Sequence, residues 1–289
     1  MAVICIILIC YGRKKPKEVL EMKKLFNVFA FVLASFAFSA CMSTTGGGAV
    51  GADRSQVMLV SEATMNQQAD SSYAEVLAEA KSSGTLNPNA ATTARVRNIA
   101  NRLIAQVGVF REDALRWNWQ VNVIQEDTIN AWCMPGGKIV VYTGIIESLN
   151  LTDGELAAIM GHEISHALKE HSREQASKQV LSSIGVSVVS EIAGLGDLGN
   201  LALALGVQYG LTLPFSRKCE TEADNMGTEL MARAGYDPHE AINVWNKMNA
   251  LGGSSTPQIL STHPSNDSRI KNLTGVAETV YPLYISARH

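Results

Sequence analysis

Apolar residues recur at intervals of three and four residues in two stretches of the first half of the chain, 57–81 and 93–107. In the second stretch the repeat runs through Val96, Ile99 and Leu103. Such spacing places the apolar side chains on one face of a helix. We therefore predict two amphipathic helices in this part of the chain.

A pattern typical of β-strands follows these helices. Residues 117–124 alternate apolar and polar positions, and residues 138–142 are rich in β-branched side chains. Pro135, Gly136 and Gly137 lie between the two runs, and residues of these types favour turns. The pattern predicts a small antiparallel sheet.

A helix with a strong start signal follows the predicted sheet. Thr152 and Glu155 have the spacing of a capping box, in which the threonine hydroxyl receives a first-turn amide and the glutamate reaches back to the cap. We predict that this helix runs from Thr152 to about Glu170.

The apolar stretch at residues 181–213 is rich in small residues, but Glu191, Asp197 and Asn200 interrupt it. These polar positions favour a buried helical hairpin over a membrane span.

Two further helices are predicted after this stretch. Residues 216–234 form a helical pattern that Gly235 ends. The residues Asp237, Pro238 and Glu240 supply the cap, the first-turn proline and the first-turn acid of the next helix.

The N-terminal residues have the parts of a secretion signal in the usual order. Two lysines follow Met22, an apolar run occupies residues 25–38, and small residues precede Cys41. Small residues before a cysteine resemble the bacterial lipoprotein cleavage box, so we predict lipidation of Cys41. An ordinary secretory signal that ends nearby is the alternative.

The predicted domain organisation follows from these signals. Residues 1–40 are predicted to be a leader and signal peptide. Either translation starts at Met22, or residues 1–21 form a membrane-associated leader. Residues 41–52 are rich in Ser, Thr and Gly and are predicted to form a flexible tether. Met42 is not the aspartate typical of inner-membrane retention, which favours the outer membrane.

The composition excludes one class of partner. The 289 residues are 46% hydrophobic, which is enough apolar material for one sizeable core or two small ones. The 24 basic and 27 acidic residues leave a formal charge of -3. Because no basic block is long enough to bind phosphates, we predict no nucleic-acid partner.

The helix that begins near Thr152 carries the pentapeptide His-Glu-Ile-Ser-His at residues 162–166. His162 and His166 lie one turn apart on the same face, where both imidazoles can bind one metal ion. Glu163 projects beside them and can polarise a water on that metal. A solvated helix face with incidental histidines is the alternative.

A catalytic zinc usually takes three protein ligands and keeps one position for water, so a third ligand is needed. His171 is a poor candidate, because the metzincin pattern places its third histidine one residue later and has glycine at the position of Lys169. We interpret His171 as a neighbour of the site or a surface residue. Glu220 is the better candidate, since Asp224, one turn later, could hydrogen-bond a ligand histidine.

Five separated motifs between residues 90 and 275 resemble, in order, those of the zinc metallopeptidase family of HtpX, BepA, LoiP and the CAAX prenyl endopeptidases. The motifs are Asn130-Ala131-Trp132-Cys133-Met134-Pro135-Gly136-Gly137, Tyr142-Thr143-Gly144, the pentapeptide at His162, Glu220 with Ala223-Asp224, and Thr262-His263-Pro264. Without long membrane helices, the predicted chain is similar to the soluble periplasmic lipoprotein branch of this gluzincin family.

The resemblance implies which residues carry the chemistry. It implies that His162, His166 and Glu220 hold one zinc ion per chain and that Glu163 is the general base. The strand near Asn130 and Ala131 would pair with an extended substrate backbone.

The resemblance also implies a role for His263. This histidine would either stabilise the oxyanion or occupy the open zinc position as a latch. The alternative is a turn, set by Pro264, that leads into a helix.

Two cysteines flank the elements that are expected to meet at the site. Because exported proteins lie in an oxidising compartment, Cys133 and Cys219 could form a disulfide. The alternative is a pair of buried free thiols that pack as small apolar residues.

Together these observations predict a mostly helical α+β fold, in which a zincin-like metalloprotease domain at residues 53–289 has a small mixed β-sheet over the active-site helix. The predicted function is a zinc-dependent endopeptidase that cleaves unfolded or misfolded envelope proteins with a metal-activated water, on the periplasmic side of the outer membrane. The alternative is a periplasmic chaperone or assembly scaffold for outer-membrane proteins with latent protease activity. Predicted partners are these substrates, the membrane through the lipid anchor, and outer-membrane assembly machinery.

Overall fold

The computed structural model describes residues 41–192, 214–251, 258–263 and 267–288. The chain divides into two compact units, Met1–Met42 and Ser43–His289. In the first unit the described residues form strand β1 (Cys41–Met42). The predicted leader and signal peptide lie outside the described residues, as does the side chain of Cys41.

The second unit is mostly helical, which confirms the predicted α+β class. Its α-helices among the described residues are α1 (Glu62–Ser82), α2 (Ala90–Ile104), α3 (Thr143–Ser148), α4 (Asp153–Leu168), α5 (His171–Ile192), α6 (Arg217–Arg233), α7 (Glu240–Ala250), α8 (Gln258–Thr262) and α9 (Asp267–Ala287). Short 3-10 helices occupy Val107–Val109 and Glu112–Arg116. In the part of the chain that the structure describes, no helix is both long and apolar enough to cross a membrane.

The strands of the second unit are β2 (Gln56–Val57), β3 (Gln120–Ile124), β4 (Ala131–Met134) and β5 (Lys138–Tyr142). The last three form a sheet in the order β3-β5-β4, in which β3 is parallel and β4 antiparallel to β5. The antiparallel pairing predicted from the strand pattern is therefore wrong for β3, whereas the mixed sheet predicted for the whole domain is confirmed. The turn at Gly136 and Gly137, both with positive φ, joins β4 to β5 as a hairpin, which leaves β3 to pair on the other side of β5.

The two outer edges of this sheet differ. On the β3 side, Asn87 donates its backbone N–H to Val123 at 2.8 Å, and Gln125 donates to Thr85 at 2.9 Å. On the β4 side, no strand pairs with the edge among the described residues. An extended chain could therefore add to the sheet at β4.

Helix α4 begins with the predicted capping box. The Thr152 hydroxyl accepts from the Glu155 backbone N–H at 3.1 Å, and the Glu155 carboxylate accepts from the Thr152 N–H at 2.9 Å. Every residue of this helix from Gly154 to Leu168 is buried. The helix packs against β4 on one side and α6 on the other, so it forms the centre of the fold.

The α4–α6 contact is made by backbone against backbone. A Cβ atom added to Gly227 would lie 2.6 Å from the backbone nitrogen of His162, and one added to Gly161 would lie 2.9 Å from the Gly227 carbonyl oxygen. No side chain larger than hydrogen fits at this crossing. Residues one turn away on each helix are therefore held close together.

The predicted boundaries of α6 agree with the structure. Ser216 caps this helix by accepting from the Cys219 backbone N–H, and Gly235 follows its end with a φ of 76°. Helix α7 begins later than predicted, at Glu240, because Asp237 caps the preceding turn by accepting from the His239 N–H at 3.0 Å.

The predicted hairpin at residues 181–213 is described in part. Helix α5 extends to Ile192, and residues 193–213 lie outside the described residues.

Residues 43–52, which belong to the predicted flexible tether, make buried contacts within the second unit. The buried Lys169 ammonium donates to Thr45 Oγ1, to the Ala52 carbonyl and to the Arg54 carbonyl at 2.8–2.9 Å. Ala49 also donates its N–H to Glu229 at 2.8 Å. Composition did not reveal these contacts, because their partners lie more than a hundred residues further along the chain. We call residues 43–57 the N-terminal segment.

Candidate metal centre

Four buried side chains lie close together at the contact of α4, α6 and the end of α8. His162 and His166 come from α4, Glu220 comes from α6, and His263 directly follows α8. The Nε2 atoms of His162 and His166 are 3.1 Å apart, and each lies 3.5 Å from a Glu220 oxygen. The Nδ1 atom of His263 is 3.2 Å from His162 Nε2 and 3.0 Å from Glu220 Oε1.

The spacing of these atoms fits a zinc ion. Donors at the vertices of a tetrahedron around zinc, with bonds of about 2.0–2.1 Å, lie about 3.3 Å apart. The measured separations of 3.0–3.5 Å bracket this value. Moreover, two imidazole nitrogens that face each other in a buried site repel unless a proton or a cation lies between them.

His162 is oriented from outside the donor cluster by a carboxylate. Its Nδ1 lies 3.0 Å from Asp224 Oδ1, and Arg269 donates to both oxygens of Asp224 at 2.6 and 2.8 Å. Arg269 also lies 2.8 Å from Glu220 Oε2. Its guanidinium stacks over the Trp245 ring at 3.8 Å, and that ring meets the His162 ring edge-on at 6.1 Å.

His166 is oriented by an aromatic ring and by another histidine. The Phe215 ring stacks on His166 with the centroids 4.2 Å apart. His171 Nδ1 lies 2.9 Å from His166 Nδ1, and His171 is fully buried rather than at the surface. His171 reaches this position because α4 ends at Leu168 and Glu170 has a φ of 52°, which turns the chain back.

Burial and charge shift the proton affinities of these groups. Burial alone would lower the pKa of His162, but hydrogen bonds to Asp224 and Glu220 raise it to about 9. Burial opposes ionisation of Glu220 as well, yet the surrounding histidines hold its pKa well below the usual range. An ionised Glu220 is the form that would coordinate a cation.

Glu163 faces the cluster from α4 without joining it. Its Oε1 atom is buried, has no hydrogen-bond partner among the described residues, and lies 3.5 Å from His263 Nε2. Burial raises the pKa of this carboxyl above its ordinary value. A buried carboxylate with a free oxygen can accept a proton from a bound molecule.

A cleft opens beside the four donors and runs along β4. It encloses about 700 Å³, part of which is open to solvent. Its walls are formed by β4 and by the residues Met65, Glu163, His166, Phe215 and His263. Asn130 and Ala131 also line this cleft, and the Asn130 side chain accepts from the Ala131 N–H at 2.9 Å.

The two cysteines are not bridged. Cys133 and Cys219 are both free thiols in the structure, so the disulfide left open by the sequence is not formed. Cys133 lines the cleft, whereas Cys219 accepts from the Ser216 hydroxyl at 3.1 Å. The two thiols therefore have separate partners.

Sequence reasoning anticipated the contact of Asp224 with a histidine but missed other groups that hold the histidines in place. Arg269 contacts Asp224 across 45 residues of chain, and no local pattern marks it. The spacing of His171 does not fit the metzincin pattern, and this mismatch gave no indication of its contact with His166. His166 and His171 both lie near the end of α4, and this proximity in the sequence was the signal that could have indicated their contact.

Comparison with known proteins identifies what the chain is similar to. The model of peptidase family M48 matches residues 90–277. The mitochondrial metalloendopeptidase OMA1 of Arabidopsis thaliana is 43% identical over 156 residues, which cover 54% of this chain and 31% of the relative.

Two further relatives come from a yeast and a bacterium. OMA1 of Schizosaccharomyces pombe is 37% identical over 63% of this chain and 52% of its own length. The beta-barrel assembly-enhancing protease of Escherichia coli is 30% identical over 57% of this chain and 36% of its own length. The chain thus spans about a third to a half of these relatives.

Proposed function

The chain belongs to peptidase family M48, and from this membership and the buried donor cluster we propose that it is a zinc-dependent endopeptidase. The observation that carries the proposal is the position of Glu163. A free carboxylate oxygen lies beside donors whose spacing suits a tetrahedral cation. A closed structural zinc site has no use for such a group.

In this proposal His162, His166 and Glu220 hold the ion. Zinc, when bound, makes a water acidic near neutral pH and polarises a carbonyl group. Glu163 would accept a proton from the attacking water and then deliver it to the leaving amine. Asp224, 3.0 Å from His162 Nδ1, would hold the His162 proton on that atom and leave Nε2 free to bind the ion.

His263 has the role of a latch in this proposal. Its Nδ1 lies among the other donors, where it would occupy the position that water or substrate needs. His263 directly follows a helix of five residues. Withdrawal of this one side chain would open the fourth position.

The substrate in this proposal is an extended polypeptide. The residues of β4 line the cleft, and one edge of this strand has no partner strand among the described residues. Backbone pairing at such an edge does not depend on side-chain identity. Because folded proteins seldom offer a free extended segment, unfolded or misfolded chains are the proposed substrates.

We further propose a location in the bacterial envelope. The support is the lipoprotein-like sequence before Cys41 and the similarity to a beta-barrel assembly-enhancing protease. Attachment through Cys41 would hold the domain at the periplasmic face of the outer membrane, near outer-membrane assembly machinery. The similarity to mitochondrial metalloendopeptidases does not support this location.

The test compares the zinc-loaded protein with its Glu163→Gln variant at equal metal content, using casein as an unfolded substrate. Glu75→Gln, on the exposed face of α1, is the matched control. We expect cleavage by the wild type and the control and none by Glu163→Gln.

Equal cleavage by Glu163→Gln would exclude Glu163 as the base. A protein that binds zinc and unfolded chains but cleaves none would favour the chaperone function. In that case, rescue of outer-membrane assembly in cells by Glu163→Gln would establish it.

A further inference from the structure

A series of hydrogen-bonded side chains connects His166 to the N-terminal segment. His166 Nδ1 lies 2.9 Å from His171 Nδ1, and His171 Nε2 lies 3.1 Å from Glu222 Oε2. Arg54 donates to the same carboxylate from Nε and from Nη2, the latter at 2.7 Å. Arg54 lies outside the family match at residues 90–277, yet it connects to the centre of the site.

The proton positions in this hydrogen-bonded series follow from one requirement. If His166 binds a cation through Nε2, its single imidazole proton must lie on Nδ1. His166 then donates to His171 Nδ1, so His171 carries its proton on Nε2 and donates it to Glu222. Each donor meets an acceptor, and the carboxylate at the end is paired with a guanidinium.

The same arrangement excludes a second metal ion nearby. Ligand atoms of His171, Glu174 and Cys219 lie within 4.8 Å of one another, as a metal site would require. A metal on His171 Nε2 would force its proton to Nδ1, where it would face the Nδ1 proton of a metal-bound His166. In addition, Arg54 donates to both oxygens of Glu174 at 2.7 and 2.8 Å, so a cation is already present.

Arg54 is fixed by the anchoring of the N-terminal segment. Its carbonyl accepts from the Lys169 ammonium at 2.9 Å. Two residues later, the Gln56 amide donates to the Lys169 carbonyl at 2.8 Å and to Glu174 at 2.9 Å. Arg54 is therefore held on both sides, and its guanidinium holds Glu222 against His171.

We propose that His171 and Arg54 are positioning residues for the metal, acting on His166 through the chain His171–Glu222–Arg54. The inference rests on the proposed zinc function. The N-terminal segment is then a part of the metal site rather than a tether. Removing an outer partner of a ligand histidine typically weakens metal binding about 10–100-fold.

The test measures the zinc dissociation constant with a competing chromophoric chelator. We expect His171→Leu to weaken zinc binding about 10–100-fold and Arg54→Ala to weaken it in the same direction. His171→Asn places an amide oxygen near the Nδ1 position and should restore most of the affinity. Arg95→Ala, which removes an arginine paired with Asp153 at the other end of α4, is the control.

Two further readouts separate positioning from general stability. The visible spectrum of the cobalt-loaded protein should change in His171→Leu and Arg54→Ala but not in Arg95→Ala. Nitrogen NMR of the zinc-loaded wild type should show His171 with a proton on Nε2 and none on Nδ1. This measurement tests the proposed hydrogen-bonded series even if a variant does not fold.

The outcomes are distinct. Unchanged zinc affinity in His171→Leu and Arg54→Ala, or a His171 proton on Nδ1, would overturn the inference and leave the peptidase proposal intact. Failure of the wild type to bind zinc would overturn both.

Discussion

His263 faces His162 across the candidate metal centre, with His263 Nδ1 3.2 Å from His162 Nε2. His263 Nδ1 is also 3.0 Å from Glu220 Oε1, so in the proposed zinc site this side chain would compete with a water or a peptide carbonyl. A donor set completed by protein is typical of a zinc site that does not turn over. In the latch proposal, the described arrangement corresponds to a closed site.

Replacement of His263 is predicted to increase turnover. In His263→Ala the fourth position is free, and we expect the initial rate of casein cleavage by the zinc-loaded protein to rise several-fold. His239→Ala, which alters a half-exposed histidine paired with Asp237 and Glu278, should leave the rate unchanged. Loss of cleavage with zinc retained would instead support oxyanion stabilisation by His263.

A methyl group at the α4–α6 crossing is predicted to separate the metal ligands. The Cβ of Gly227→Ala would lie 2.6 Å from the His162 backbone nitrogen, so the helices must move apart. We expect a loss of about 1–3 kcal/mol in the free energy of unfolding and weaker zinc binding. Chemical denaturation and chelator competition would measure the two effects.

Gly275→Ala is the control for this prediction. Gly275 lies on α9, where an added Cβ has no atom within 4 Å among those described. Because alanine favours helix over glycine, we expect this variant to gain about 0.5–1 kcal/mol. Equal behaviour of the two variants would contradict the close crossing.

Loss of the Lys169 ammonium is predicted to release the N-terminal segment. Lys169→Met removes the ammonium that donates to the Thr45 hydroxyl and to the carbonyl groups of Ala52 and Arg54. We expect a loss of about 1–3 kcal/mol in the free energy of unfolding. Limited proteolysis should cut within residues 43–57 faster than in the wild type, and unchanged cleavage there would contradict the anchoring.

Acid is predicted to remove the contribution of Glu174. Burial alone would raise the pKa of this carboxyl, but hydrogen bonds from Arg54 and Lys178 lower it to about 2 in the folded protein. The unfolded value is about 4.3, so the stabilisation is complete above that pH and is lost as the pH falls towards 2.

Glu174→Gln isolates this contribution. In metal-free protein, we expect the wild type to be more stable than the variant at pH 6 and the difference to shrink between about pH 4.3 and 2. Urea unfolding at several pH values would measure it. A difference that stayed constant over this range would contradict the ion pair between Arg54 and Glu174.

The parts of the fold that depend on neighbouring residues were predictable from the sequence. The capping box of Thr152 and Glu155, the cap at Ser216 and the stop at Gly235 each act within one helical turn. The pentapeptide at His162 also specifies its own geometry, since helix periodicity alone places both imidazoles on one face.

The parts that depend on distant contacts were not predictable. The direction of β3 depends on which side of β5 remains free after the β4–β5 hairpin forms. The N-terminal segment has the composition of a linker, but its conformation depends on Lys169 and Glu229. Likewise, Arg54 meets Glu174 across 120 residues, a separation at which a charge in the sequence does not reveal its partner.

The packing of Trp245 gives the molecule an optical reporter of its own. This ring lies between the Arg269 guanidinium and the edge of the His162 imidazole, so its surroundings change when the charge at the donor cluster changes. Tryptophan emission should therefore respond to metal loading without any label. Of the four tryptophans in the chain, Trp245 is the one in ring contact with His162, and Trp245→Phe would remove that signal while retaining an aromatic ring under Arg269.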